Sequence, residues 1–244
     1  MRGILLRVGI DQAFGGCHAP VDPDTREFVY LPIPEDLKRF KPGVETTYDD
    51  FISPMKRFAE ERVTKSEIAF PTNLIGTGCH LDPDFNHLTY GDQPTGRGRR
   101  VASLNQGDFV AFFAGLNPVR QCDQKLIYAL IGIYFVKELK RVRELDKTES
   151  GRDAHSRRRG ENGDDVVVMA DSDRSGRFEI CIPIGTYRDR AYRVRKDLLA
   201  KWNGLDVKDG FIQRSVNPPS FQDPDAFLAW LETQDRGALM HRNN

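Results

Sequence analysis

Two apolar, aromatic-rich runs stand close together in the middle of the chain, from Leu104 to Leu116 and from Lys125 to Lys137. Phenylalanine, tyrosine, valine and isoleucine dominate both, and a polar connection with Pro118 separates them, which is the local signature of two neighbouring β-strands. Whatever fold the chain adopts must be built round this pair. Shorter runs read as further strands: Gly3 to Ile10, Val166 to Met169, Phe178 to Ile184, and residues 26–34, whose closing prolines demote that strand's end to a sheet edge. Helical spacing begins at Thr47–Phe51, with Thr47 or Asp49 as cap, and returns from Val194 to Trp202 and from Asp225 to Thr233. Trp202 and Trp230 read as core or rim anchors of this helical closure, and the tail from Arg236 to Asn244 reads as loose.

With 244 residues the chain can bury a substantial core. A Gly107-Asp108 turn feeds the first central run and a Gly132-Ile133 step interrupts the second, a pattern that resembles the core of the PUA-like superfold. The expected fold is therefore α+β: a PUA-like, mostly antiparallel β-barrel with flanking short helices, in one domain over residues 1–244. Lysine plus arginine and aspartate plus glutamate number 36 each, so the net charge is zero. Attraction to nucleic acid must then come from local clusters, not from a global field. The four cysteines, at 17, 79, 122 and 181, form no CxxC pair, which argues against a zinc knuckle or a disulfide framework and for a reduced, cytoplasmic setting. The apolar run at the N-terminus is too short for a signal peptide, and no segment approaches the ~20 apolar residues of a membrane span, so no membrane partner is expected.

Reactive side chains are densest between Gly78 and Arg100. Cys79, His80, Asp82, Asp84 and His87 fall within nine residues, followed by the glycine-spaced Arg97, Arg99 and Arg100. Pro83 disfavours helix at Asp82, so the segment is expected to be an extended turn that splays these groups outward. A second cluster closes the first strand: Asp11, the Gly15-Gly16 turn, Cys17 and His18. A third is a basic loop over about 140–163, centred on His155 with Arg157, Arg158 and Arg159; beyond it Arg174 lies in a polar loop between two strands. Such runs are usually solvated surface, and phosphate contacts are the competing reading.

Gly9 to Asp11 with Gly15 to Cys17, the Leu31–Pro34 strand end, Tyr48-Asp49, the turn from His80 to Asp84, and Gly107 to Val110 occur in an order that resembles the third nucleotide-modification-associated domain family. Members of that family are found with DNA-hypermodification and phage-defence systems. The resemblance implies DNA carrying a modified base as partner, alongside other DNA-modification proteins. It further implies action on 7-cyano-7-deazaguanine in DNA, the nitrile being hydrated to the 7-amido base. For that chemistry Cys17 is the candidate nucleophile, adding to the nitrile carbon to give a thioimidate that water opens. His80 or His155 would move protons, Asp11 or Asp82 would orient the imidazole or activate water, and the amides of Gly15 and Gly16 would receive the developing negative nitrogen. Arg97, Arg99, Arg100, Arg157, Arg158, Arg159 and Arg174 would hold phosphates. This route needs no cofactor. A divalent metal on His80, Asp82, Asp84 and His87, activating water directly, is the alternative enzyme, and a non-catalytic reader of modified bases is the alternative function.

Overall fold

The structure, a computed structural model, describes residues 1–62, 70–213 and 217–244. Strands β1 (Gly3–Arg7), β2 (Pro20–Val21) and β3 (Ile33–Glu35) are neighbours only in chain order; in space β1 and β2 both run parallel to β6 (Phe109–Pro118). β6 in turn pairs antiparallel with β7 (Ile127–Arg141), Phe109 opposite Phe135 and Leu116 opposite Ile127. This is the expected central pair. β7 is long enough to serve two partners on its other side. Its Ala129–Ile133 part meets β9 (Gly176–Pro183), and its Val136–Arg141 part meets β8 (Val166–Ala170). At Gly132, where the register with β9 shifts, a Cβ would stand 2.7 Å from both the Phe85 ring and the Gly176 carbonyl, so only glycine fits the crossing. β5 (Thr89–Asp92) extends the sheet from β8, and β3 pairs with β4 (Gly78–His80) outside it.

The result is α+β and mostly antiparallel, but the described strands do not close into a barrel. Their order β1-β6-β7-β8-β5 is an open path, and the outer edge of β1 is occupied by the 219–221 segment, through Leu5 N–H to Pro219 O (2.7 Å) and Phe221 N–H to Gly3 O (3.0 Å). That segment takes the backbone groups of β1 that closure against β5 would need. Alternate residues of β6 enter two different cores: Val110, Phe112 and Ala114 face one, while Phe109, Ala111 and Phe113 face the other, so both faces of the open sheet are covered by apolar layers.

The first face carries α1 (Asp49–Arg62), which contributes Phe51, Met55 and Phe58, together with Tyr30, Tyr48, Phe85 and Tyr90. The second carries α3 (Lys196–Lys201) and α4 (Pro224–Glu232), whose Phe227 stacks on Phe109 at 5.5 Å and on Phe221 at 4.0 Å. Asp223 caps α4 by accepting from Ala226 N–H at 2.9 Å, with Pro224 in the first turn. Trp202 and Trp230 are both buried there, as core anchors. The β10 (Gly185–Arg188) and β11 (Ala191–Val194) hairpin and the short α2 (Arg99–Ala102) complete the set.

Two expectations are corrected. Residues 26–32 make only isolated bridges, Val21 to Phe28 and Glu27 to Ile180, because their backbone groups bond singly to different segments, Val29 N–H to Pro20 O, Cys181 N–H to Arg26 O and Ile10 N–H to Leu31 O; regular pairing covers Ile33–Glu35. The tail is not loose. Residues Leu239–Met240 form β12 on β9, and Asn243 reaches the interior, donating to Asp84 Oδ1 (3.2 Å) and accepting from Phe85 N–H (2.8 Å), while Asn244 bonds both backbone groups of Tyr30. Two terminal asparagines satisfy buried polar groups that the tail's sequence does not announce. No helix among the described residues is long and apolar enough to cross a membrane.

Candidate functional site

Three strand ends bring chemistry together. β4 ends at His80, whose place is set by pairing with Ile33 on β3. A turn through a cis Asp82–Pro83 peptide leads on to β5, and there Gly91 N–H donates to Asp82 Oδ1 at 3.0 Å. The loop before β8 supplies His155, held where Asp153 Oδ1 accepts from the backbone N–H groups of His155 and Ser156, both at 2.9 Å. Gly91 also makes room for that imidazole: a Cβ there would stand 2.4 Å from His155 Cδ2.

The three side chains converge. Asp82 Oδ2 lies 3.1 Å from His80 Nε2 and 3.5 Å from His155 Nε2, and the two rings stand edge to face with centroids 5.3 Å apart. Each histidine turns its other nitrogen to a second carboxylate. His80 Nδ1 is 3.1 Å from Glu35 Oε2, and His155 Nδ1 is 2.6 Å from Asp165 Oδ2. Arg158 grips Glu35 Oε2 with two nitrogens, at 2.5 and 2.9 Å. Burial alone would lower the His80 imidazole, but its contacts with Asp82 and Glu35 outweigh that and raise it to about 9. Burial likewise disfavours the Glu35 carboxylate, yet His80 and Arg158 hold it down at about 2. Asp153, desolvated and near the charge of Asp82, is raised.

This cluster forms part of the wall of a cavity of about 750 Å³. Arg7, Asp11, Phe14, His18, Tyr90, Asp92, Arg97, Tyr128 and Tyr192 also line it. The Tyr128 and Tyr192 rings stack at 4.1 Å and give the wall an aromatic face. Phe14 is 59% exposed at the mouth. The volume is in the range of small-molecule and cofactor pockets.

The sequence-derived candidates separate into three groups. His80, Asp82 and His155 meet, although they come from segments 73 residues apart. Asp84 and His87, grouped with His80 by proximity in sequence, belong elsewhere. Asp84 is fully buried against Arg157 (2.7 Å), His87 Nδ1 (2.8 Å) and Asn243, and these contacts hold its carboxyl below the usual range despite burial. Of these groups the turn therefore splays only His87 outward: the side chains of His80, Asp82 and Asp84 are buried because each carboxylate has a cation, an imidazole or an amide against it. Cys17 is half-buried, packs against the first core, and is not among the residues lining the cavity; burial raises its thiol, which favours the unreactive protonated form. Cys79 is pushed up to about 12 by burial. Asp11 lines the cavity but is engaged with Arg7 (2.9 Å) and with the N–H groups of Ala13 and Phe14.

The arginines are mostly committed within the fold. Arg100 binds Asp206, Pro218 O and Ser220; Arg157 and Arg158 hold Asp84 and Glu35; Arg159 donates to Phe40 O at 2.6 Å; Arg174 lies over the Phe135 ring at 3.8 Å. Arg97 lines the cavity, and Arg99 is exposed at the start of α2. Sequence reasoning missed Glu35 and Asp165, the partners of the two histidines. Each is one acid among 36, and no spacing relates it to its imidazole.

No curated protein and no solved structure is similar enough to match this chain. The model of nucleotide modification associated domain 3 matches residues 2–209, a span that contains every side chain of the His80–Asp82–His155 cluster and its carboxylate partners, and the chain belongs to that family.

Proposed function

We propose that this protein modifies a nucleobase carried in DNA, and that the reaction takes place at His80, Asp82 and His155. The observation that carries the reading is the convergence of two carboxylate-backed imidazoles on one carboxylate oxygen, in the wall of a cavity of pocket size, in a chain of a nucleotide-modification family. The stacked Tyr128 and Tyr192 offer a face for a base turned out of its helix, and Arg97, in the same wall, offers a cation to a phosphate beside it.

The reaction we favour is hydration of the nitrile of 7-cyano-7-deazaguanine to the 7-amido base. The oxygen of a water adds to the nitrile carbon, one carbon–nitrogen π bond is replaced by N–H, and a proton shift gives the carboxamide. One water is gained, with no leaving group and no redox partner. The His80–Asp82–His155 cluster activates the water, and the Arg158 guanidinium, which lines the same cavity, faces the nitrogen as it becomes negative. The placement of Cys17 outside the cavity wall favours direct attack by water over a thioimidate.

The test is mass spectrometry of nucleosides digested from DNA containing 7-cyano-7-deazaguanine, before and after incubation with the protein. The expected product is heavier by one water. His80→Ala and His155→Ala are expected to slow its formation by at least roughly 10²-fold, the lower end for a lost acid–base group. Cys17→Ala is expected to leave the rate within a few-fold; loss of conversion in that variant, with the histidine variants active, would restore the thiol route. No mass change while the DNA stays bound would replace catalysis by the reading of a modified base.

A further inference from the structure

We infer that His80 Nε2, His155 Nε2 and Asp82 Oδ2 are the ligands of one divalent transition-metal ion of the zinc class, with its remaining positions open to the cavity. The inference deepens the proposed function by naming what activates water there, but its grounds are independent of the substrate.

Four observations support it. The first is spacing. Ligands bound to zinc at about 2.0–2.1 Å in tetrahedral geometry stand about 3.3 Å from one another. Asp82 Oδ2 is 3.1 and 3.5 Å from the two Nε2 atoms, and all three atoms lie within 4.8 Å of one another. The second is an orphan. Asp82 Oδ2 is buried and, despite those short distances, has no hydrogen-bond partner. A buried acceptor left this way costs stability unless something outside the protein's own donors satisfies it.

The third observation is tautomer. Asp165 alone faces Nδ1 of His155, so a proton there leaves the Nε2 lone pair directed at the orphan oxygen, and Glu35, beside Arg158, stands behind Nδ1 of His80. A carboxylate behind each ligating imidazole is the usual outer shell of a metal site. The fourth is charge. Glu35 is paired with both Arg158 and Arg39, whereas the ion pairs of Asp82 and Asp165 among the described residues are with the imidazoles alone, so these two carboxylates carry negative charge that a divalent cation offsets. Two imidazoles and one carboxylate are a borderline donor set, suited to zinc-class ions and not to magnesium or calcium. Three protein ligands with an open side mark a catalytic site and not a structural one.

The full-length protein, stripped with chelator and dialysed, would be titrated with Zn²⁺ by calorimetry, with metal content of the reloaded protein measured by mass spectrometry. One ion per chain is expected. His155→Ala should weaken binding at least 100-fold, and Asp165→Asn, which keeps all three ligands, about 10–100-fold. His87→Ala, five residues from Asp82 and seven from His80 in sequence but outside the cluster, should bind like the parent. A Co²⁺-loaded protein should show visible absorption of a low-symmetry site that His80→Ala loses, and circular dichroism of each variant separates lost ligation from lost folding. Absence of stoichiometric binding by the folded parent, or binding indifferent to His155→Ala in a folded variant, would overturn the inference. Conversion of the nitrile base by fully stripped protein would also overturn it while leaving the proposed function intact. Stoichiometric, His155-dependent binding without base conversion would uphold the metal site and sink that function.

Discussion

At the scale of single residues, the site depends on what is absent as much as on what is present. Gly91 joins two jobs: its N–H holds Asp82 Oδ1, and its missing side chain is the space in which His155 lies. Gly91→Ala would put a methyl carbon 2.4 Å from His155 Cδ2, so the imidazole must swing away from Asp82 and Asp165. Displacement of about 1 Å at a reacting centre can cost on the order of 10²-fold in rate. Gly91→Ala is therefore expected to lose base conversion by about that factor while its circular dichroism spectrum stays that of the parent; an unimpaired rate would mean that His155 tolerates the shift. His80, Asp82 and His155 were legible in sequence as residues able to do chemistry. Glu35 and Asp165 were not, because a carboxylate's role here comes from the imidazole it touches across 45 and 10 residues of chain.

At the scale of elements, the basic loop shows how unlike neighbouring arginines can be. Arg157 is 4% exposed and bonds the fully buried Asp84, whereas Arg159, two residues on, is exposed. Arg157→Met would leave the Asp84 charge without its guanidinium in the interior, at a cost of about 3–5 kcal/mol. Arg159→Ala, which removes one bond, to Phe40 O, from an exposed side chain, should cost about 1 kcal/mol. Urea denaturation of the two variants makes the comparison, and equal midpoints would show that the Arg157–Asp84 pair does not hold the loop to the β4–β5 turn. The triplet reads as one basic run because sequence records charge but not which carboxylate folds against it. The strands β6 and β7 and the helices α3 and α4 were legible, since apolar periodicity over many residues reports burial directly.

At the scale of the whole molecule, the family match ends at residue 209, but the fold does not. Phe221, Phe227, Trp230 and Leu231 form the layer over the second face of the sheet, and Asn243 satisfies Asp84 and Phe85 on the first. A chain cut after Asp209 would expose Phe109, Trp202 and their neighbours and is expected to lack a cooperative thermal transition by calorimetry; a sharp transition would mean that residues 210–244 are dispensable to the core. The sequence by itself determined the central strand pair, the α+β class and the identity of the reactive side chains, because these follow from local pattern and residue chemistry. The tertiary structure alone decided that the sheet is open, since closure depends on what pairs with the edge strands β1 and β5, which no single segment specifies. It also decided which reactive groups meet. His80 and Asp82 joined His155 across the fold instead of their neighbours Asp84 and His87, because the pairing of β5 with β8 brings the His155 loop to the Asp82 turn, and Arg157 draws Asp84 into the core.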